Sequence, residues 1–394
     1  MKGKTIVLGV TGSIAAYKAA DLASKYTQAG ARVNVIMTKS AVEFITPLAF
    51  RTITARPVAT SMFDIASEYS VEHVALAEAA DIVVIAPATA NVIAKIAAGI
   101  ADDMLSCTVL ATKAPVLIAP AMNVNMWENE VTQHNVEKVV ERGMTIVGPG
   151  YGRLASGILG KGRLVDLEEI FAATCKILGE KGDLVGKHIV ITAGGTQEPI
   201  DPVRCVTNRS SGKMGYAIAE AARDRGAKVT LISAPTALPK PYAIEFIDCN
   251  TAQEMFEAVQ KATTKADVLI MAAAVADYKP AKVADQKIKR KADTMRLEME
   301  RTVDILAGVK GKFLKVGFAA ESTDLVTNAK DKLQRKALDL IVANNIMAEG
   351  CGFGSDSNKV VMIDRKGNME ETPLLSKREV ADKILDKVVS LLIS

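Results

Sequence analysis

The chain alternates short, almost unbroken apolar runs with longer stretches in which apolar residues recur at helical spacing. In the first half the runs are TIVLGV (5–10), VNVIM (33–37), DIVVIAP (81–87), PVLIAP (115–120) and MTIVGP (144–149). Val, Ile and Leu fill them nearly continuously, as expected of parallel strands covered by helices on both faces. Around residues 171–187 a helix, FAATCKILGE, gives way to a glycine-bearing linker, KGDLVGK, and the pattern restarts. The second set is HIVITAGG (188–195), KVTLISAP (228–235), ADVLIMAAAV (266–275), KVGFAA (315–320), LDLIVANN (338–345) and KVVMID (359–364). Each half opens alike, with lysine and glycine, a strand, a glycine turn and a helix. The pattern predicts an α/β protein of two Rossmann-like domains with mainly parallel sheets, 1–186 and 187–394, each long enough to form its own core.

A length of 394 residues suits two or three domains at roughly 100–200 residues each, and the pattern selects two. With 49% hydrophobic and 24% charged residues, wholesale disorder is excluded. No run approaches the roughly 18 apolar residues of a membrane span. The opening lysines before an apolar run look like a signal peptide. Lys18 and Asp21 follow at helical spacing, however, and no cleavage-type segment closes the run, so a cytoplasmic protein is expected. The five cysteines (Cys107, Cys175, Cys205, Cys249, Cys351) are scattered without a CxxC pair, and only His73, His134 and His188 supply imidazoles. A disulfide framework, a zinc site or a histidine-rich metal centre is not suggested. Charge sharpens the division. Residues 1–186 carry 17 Lys+Arg against 18 Asp+Glu, and the remainder 32 against 27. A basic excess of that size, with few aromatics and no basic tail, favours small anionic ligands over nucleic acid, and nothing calls for a membrane.

Glycine turns supply the candidate chemistry. Gly9-Val10-Thr11-Gly12-Ser13-Ile14 opens a helix after the first strand, where backbone N–H groups and the Ser13 hydroxyl can hold a phosphate. The second strand ends in Thr38-Lys39-Ser40 instead of an acid, which suits a phosphate better than a ribose diol. In the second half GGTQEPIDPVRCVTNRSSGKMG forms a long polar insertion before a helix starting near Met214, and such loops usually bind something. Asn208, Ser210, Ser211 and the Gly212 N–H can ring a phosphate or carboxylate. Downstream, Ala272 to Tyr278 ends a buried strand with Asp277 at its carboxyl end, where open α/β sheets place their sites. The basic loop Lys287-Ile288-Lys289-Arg290-Lys291 reads as a triphosphate clamp beside that turn. These residues alone reach two nucleotide-type domains, the second favouring a polyanion, without naming a reaction.

Several long motifs in register resemble the bifunctional phosphopantothenoylcysteine decarboxylase / phosphopantothenate–cysteine ligases of coenzyme A biosynthesis, over essentially the whole chain. They are GSIAAYK (12–18), the His73 segment EHVALAEAADIVVIAPATAN, PAMNVNMW (120–127) and GRLASGILGKGRL (152–164), followed by GGTQEPIDPVR, TNRSSGKMG, AAAVADY, KIKR, VGFAAE and LDLIVAN. The resemblance implies FMN in the first domain, held by Gly12, Ser13, Ile14, Thr38, Ser40, Ala88, Thr89, Ala90, Asn91 and Ala121. It implies oxidation of the cysteinyl thiol to a thioaldehyde, loss of carbon dioxide and return of the electrons, with the hard chemistry belonging to the flavin. His73 corresponds to the catalytic histidine, Asn123 binds the substrate carboxylate, and Arg153 and Ala155 lie in the substrate clamp. The family commonly reads Leu-Ala-Cys-Gly where this chain has Leu154-Ala155-Ser156-Gly157. A thiol of pKa about 8.5 is a usable proton donor near neutrality, whereas a serine hydroxyl is far weaker.

For the second domain the resemblance implies ligation. Phosphopantothenate attacks the α-phosphate of CTP to give an acyl-cytidylate and pyrophosphate, and the cysteine amine then displaces CMP, with Mg²⁺ bridging phosphates. Asn208 matches the asparagine of the acyl-cytidylate step. Ala273, Asp277, Lys287, Val303, Asp304, Ile305, Leu306, Phe318, Lys332 and Lys336 match nucleotide-binding positions, and Lys289 is the second cation. Val303 stands where proline is commoner, and Arg290 where lysine is. Metal ligands are not assigned. The resemblance further implies a homo-oligomer, with trimers of the flavin domain and dimers of the ligase domain closing into a dodecamer. Competing readings are a related flavoprotein acting on another substrate, a chain with an altered or slow decarboxylase step, and a flavin-binding regulatory module. PAMNVNMW and the fused ligase half count against the first. The ordinary final helix KREVADKILDKVVSLLIS, in place of an acidic tail, counts against the last.

Overall fold

A computed structural model describes residues 1–62, 72–289, 294–321, 324–345 and 354–393. Arg290, Lys291 and Cys351 lie outside the described residues. The chain forms two compact units, Met1–Leu178 and Gly179–Ser394, dividing ahead of residue 186.

The first unit runs β1 (Thr5–Val10), α1 (Lys18–Gln28), β2 (Arg32–Met37), α2 (Lys39–Val42), α3 (Pro47–Thr54), β3 (Val58–Ala59), α4 (Glu72–Ala79), β4 (Ile82–Ala88) and α5 (Ala90–Ala98). It continues with α6 (Met104–Ala111), β5 (Val116–Pro120), α7 (Val124–Trp127), α8 (Glu130–Glu141), β6 (Thr145–Ile146), β7 (Gly150–Arg153), β8 (Leu159–Arg163) and α9 (Leu167–Leu178). Among the described residues the sheet order is β3-β2-β1-β4-β5-β6, and every pairing is parallel. MTIVGP pairs over only Thr145–Ile146, because the chain then leaves the sheet for the antiparallel β7–β8 hairpin.

The second unit runs β9 (His188–Ala193), β10 (Gln197–Asp201), β11 (Arg204–Thr207), α10 (Lys213–Arg223), β12 (Lys228–Ser233), β13 (Glu245–Asp248), α11 (Ala252–Ala262), β14 (Val268–Met271), β15 (Tyr278–Pro280), β16 (Met299–Arg301) and α12 (Ile305–Gly308). It ends with β17 (Leu314–Glu321), α13 (Leu325–Arg335), β18 (Leu340–Asn345), β19 (Ser357–Asn358), β20 (Val360–Asp364), β21 (Met369–Glu371), β22 (Leu375–Ser376) and α14 (Lys377–Ile393). The main sheet is ordered β13-β12-β9-β14-β17-β18-β20-β21. Alternate residues of β9 enter different cores. Ile189 and Ile191 pack with Ile218 of α10 and Ile384 of α14, while Val190 packs with Val259 of α11 and Leu333 of α13. Both faces are therefore covered, which is why the strands read as unbroken apolar runs.

Two features depart from the sequence reading. Residues 197–207, read as polar loop, form the antiparallel β10–β11 hairpin. KVVMID is antiparallel to β18, although it reads like its parallel neighbours. Val360 and Met362 enter one core and Val361 and Ile363 the other, and two-sided burial erases the alternation that would have marked it. No helix among the described residues is long and apolar enough to cross a membrane.

The end of β20 is tied to α14 by the buried Asp364 carboxylate, which pairs with Lys387 at 3.0 Å and accepts from the Asn368 side-chain amide at 2.9 Å. Burial pushes its pKa up, but the Asn368 and Lys387 bonds outweigh that and hold it at about 2. Because this lies below the unfolded reference of about 3.9, the stabilisation is complete at neutral pH and is lost as pH falls from about 4 through 2. Asp364→Asn is expected to lower stability at pH 7 by about 1–3 kcal/mol. Denaturant melts of the variant should also show a flatter acid dependence between pH 5 and 2.5 than the native protein.

Candidate functional site

In both units the crevice opens where chains leave neighbouring strands in opposite directions, between β1 and β4 and between β9 and β14. A buried threonine just beyond the first strand secures each one. Thr11 donates to the Pro87 carbonyl at 2.7 Å and accepts from the Thr89 N–H at 3.1 Å. Thr196 accepts from the Ala276 N–H at 2.9 Å.

In the first unit this gathers the predicted flavin residues at the carboxyl ends of β1, β2, β4 and β5. Gly12 lies so close to the segment after β2 that an added Cβ would stand 2.3 Å from Cβ of Ser40. Ser13 caps the following turn, and Thr89 caps α5 by accepting from the Val92 N–H. Ala121 donates to the Ala88 carbonyl at 2.9 Å, so Ala88 to Asn91 are held against the end of β5. Thr38 Oγ1 is the single buried side-chain polar atom without a hydrogen-bond partner among the described residues. A buried hydroxyl left in that state is costly, and a phosphate oxygen entering the cradle would satisfy it. The residues present therefore fit a flavin mononucleotide.

Asn123 and Ser156 are brought together directly. The Asn123 Oδ1 caps α7 by accepting from the Asn125 N–H at 2.9 Å, which turns its amide nitrogen outward to donate to Ser156 Oγ at 3.3 Å. Ser156 is exposed on the turn joining β7 and β8, between Arg153 and Ala155 on one side and Gly157 on the other. That hairpin is anchored by the Met122 N–H, which donates to the Gly162 carbonyl at 2.9 Å. His73 is carried by another element, α4, and is half-buried.

In the second unit a cavity of about 840 Å³ collects Asn208, Ala273, Asp277, Val303, Asp304, Ile305, Leu306, Phe318, Lys332 and Lys336 from five chain segments. Asn208 donates to the carbonyls of Ala274 and Val275 at 3.4 and 3.1 Å, which fixes its amide with the oxygen on the opposite side. Gly212, at φ 75°, starts α10 in the left-handed region that glycine adopts without strain, and its N–H donates to Ser210 Oγ. Asp304 caps α12 and pairs with Lys336, while Lys332 donates to the Phe318 carbonyl at 2.8 Å.

Lys287 and Lys289 are not among the lining residues. Both are exposed on a segment whose main chain is tied to the β10–β11 hairpin. The Ile288 N–H donates to Asp201 and the Ile288 carbonyl accepts from Arg204. The Arg204 guanidinium holds the Asp201 carboxyl well below the usual carboxylate range. Sequence reasoning also missed lining residues, including Lys213, Arg301, Asn344, Asn358 and Lys377. Lys213 directly follows the Ser-Ser-Gly turn and was within reach. Lys377 carries no local signal, because only the fold brings the start of α14 to the cavity.

Residues 1–179 match the family described as Flavoprotein, and residues 184–392 the family described as DNA/pantothenate metabolism flavoprotein C-terminal domain. The chain is 45% identical over 398 residues to the coenzyme A biosynthesis bifunctional protein CoaBC of Vibrio vulnificus, covering 100% of this chain and 99% of the relative. To the protein of the same name from Bacillus subtilis it is 46% identical over 397 residues, covering 99% and 98%. A crystal structure of the C-terminal domain of a CoaBC protein matches with 45% identity and a TM-score of 0.46, over 54% of this chain and 98% of that one.

Gly12→Val tests the cradle. Overpacking against Ser40 costs about 1–3 kcal/mol, so flavin retention, read from visible absorbance of the purified protein, is expected to fall about ten-fold or more. Far-ultraviolet circular dichroism should stay unchanged.

Proposed function

The chain belongs to the family of bifunctional coenzyme A biosynthesis proteins, and from that membership we propose that it performs two consecutive steps. Its second unit ligates cysteine to phosphopantothenate through an acyl-cytidylate at the expense of CTP. Its first unit then decarboxylates phosphopantothenoylcysteine to phosphopantetheine with FMN. The observation that carries this reading is the meeting of the ligase residues, from five separate segments, around one cavity.

A free carboxylate is a poor acyl donor, so ligation needs an activated phosphoryl intermediate and cations to bear the charge that develops. Lys332 of α13 and Lys336, the residue that follows its last turn, supply positive charge, with Asp304 fixing Lys336 and the Phe318 carbonyl fixing Lys332. The oriented Asn208 amide stands at the opposite turn, where it can hold the acyl-cytidylate. Mg²⁺ belongs with the nucleotide. An ion of that kind would be held chiefly by phosphate oxygens.

In the first unit the bound flavin supplies oxidation of the substrate and the later return of electrons. The protein's part is orientation. Asn123 presents an amide N–H where a substrate carboxylate can accept it, and the β7–β8 hairpin covers that position. Ser156 occupies the proton-donor position, and with its own acidity so low it acts by relaying a proton from water. From family membership, unit 1 would form trimers and unit 2 dimers, and Ile14 and Tyr17, 61% and 59% exposed beside the Gly12 cradle, offer unit 1 apolar surface for a contact with another copy.

Sustained pyrophosphate release is expected only when CTP, phosphopantothenate and cysteine are present together, and CTP with phosphopantothenate alone should give at most one pyrophosphate per site. A protein that binds flavin but neither decarboxylates phosphopantothenoylcysteine nor releases pyrophosphate would leave the regulatory-module reading standing. Mass analysis of the product from phosphopantothenoylcysteine should show the saturated thiol. Accumulation of a species two hydrogens short, cured by Ser156→Cys, would show instead that the final reduction stalls at Ser156.

A further inference from the structure

We propose that Lys213 and Lys377 form a second anion subsite in the ligase cavity, built to take a phosphoryl group of a phosphate-bearing substrate. The inference rests on the ligase reading above and adds residues and a ligand chemistry to it.

The two lysines come from different helices and converge on one short segment. Pairing of β19 with β22, Ser357 with Ser376 and Asn358 with Leu375, sets the start of α14 beside residues 354–358. The Lys377 N–H then donates to the Asp356 carbonyl at 2.9 Å. Its side chain enters the cavity lining with the residue only 8% exposed, and its ammonium donates to the Ser355 carbonyl. Lys213, the first residue of α10, donates to the Gly354 carbonyl at 3.0 Å and pairs with Asp356 at 2.6 Å.

This arrangement sets two cations close together at the edge of the cavity. Burial first, and then the charge of Lys213, disfavour the charged form of Lys377, and the Asp356 carboxylate offsets part of this. Both lysines also stand at helix N-termini, where the macrodipole repels cations. Among the described residues lining the cavity, Arg209, Lys213, Arg301, Lys332, Lys336 and Lys377 stand against the carboxylates of Asp277 and Asp304, and Asp356 pairs with Lys213. An anion between Lys213 and Lys377 relieves each of these terms at once.

Topology separates this pair from the other one. The helices α10 and α14 pack on one face of the sheet, and α13, with Lys332 and Lys336, packs on the other. The crevice at the strand ends therefore has a cation pair on each flank. The ligase reaction brings two phosphate-bearing molecules to one cavity, so a second subsite is what that chemistry requires.

The test uses the full-length protein and its Lys377→Met and Lys377→Arg variants. Methionine keeps the stem and removes a buried charge, so the thermal unfolding midpoint should not fall. Lys377→Met is expected to weaken pyrophosphate binding, measured by calorimetry, by about ten-fold or more, with Lys377→Arg recovering most of it. In steady-state assays KM should rise for CTP if the subsite takes the nucleotide's outer phosphates, or for phosphopantothenate if it takes that phosphomonoester, with KM for cysteine unchanged. Either result supports the subsite. Unchanged pyrophosphate affinity with unchanged KM for both phosphate substrates would overturn it, as would a uniform loss accompanied by a lower unfolding midpoint. A native protein that binds pyrophosphate through Lys377 without ligating would refute the ligase reading alone.

Discussion

One buried threonine in each unit holds the chain at the point where it must do two things. The first strand has to end and its neighbour has to turn away in the opposite direction, which leaves main-chain groups without ladder partners. Thr11 satisfies both the Pro87 carbonyl and the Thr89 N–H, and Thr196 the Ala276 N–H. An isolated parallel bridge between Gly195 and Ala274 extends the same pairing past the strand ends. Unsatisfied groups there would cost about 1–3 kcal/mol each. Satisfied internally, they hold the crevice open at a fixed width, and everything placed on its rim inherits that rigidity.

The two crevices are furnished differently. In unit 1 the rim consists of small residues, hydroxyls and backbone, and its distinguishing mark is an unsatisfied hydroxyl, Thr38 Oγ1. In unit 2 the rim is crowded with lysine and arginine. The first rim offers a hydroxyl that can still donate. The second offers accumulated positive charge, which attracts anions over a longer range.

How much of this the sequence disclosed follows from the physics of each element. Buried parallel strands and their glycine turns were legible, because two-sided burial writes unbroken Val, Ile and Leu runs and because Gly12 and Gly212 sit where larger residues fail. Strand direction was not, since Val360–Asp364 is as thoroughly buried as its parallel neighbours. The β10–β11 hairpin was hidden by its exposed, polar composition. Candidate residues next to a recognisable turn, such as Asn208 and Asp277, could be named from the sequence, and both line the cavity. Lys377 was not, because its place depends on a two-residue pairing between β19 and β22 that no local pattern announces. The division of charge between the halves was visible from the start, and the cavity shows where much of the basic excess is spent.

The anchoring of α14 has a further consequence for the order in which the molecule is assembled. Its Val380, Ile384, Leu385 and Val388 complete one core of unit 2, while its first residue completes the cavity rim. Domains generally fold as units during synthesis, the N-terminal one first. The flavin cradle, contained within Met1–Leu178, can therefore be finished while the ribosome is still making the ligase half. The ligase site is closed by the last described helix. On the growing chain unit 1 is complete first, and unit 2 completes its core and its cavity rim only once α14 has been made.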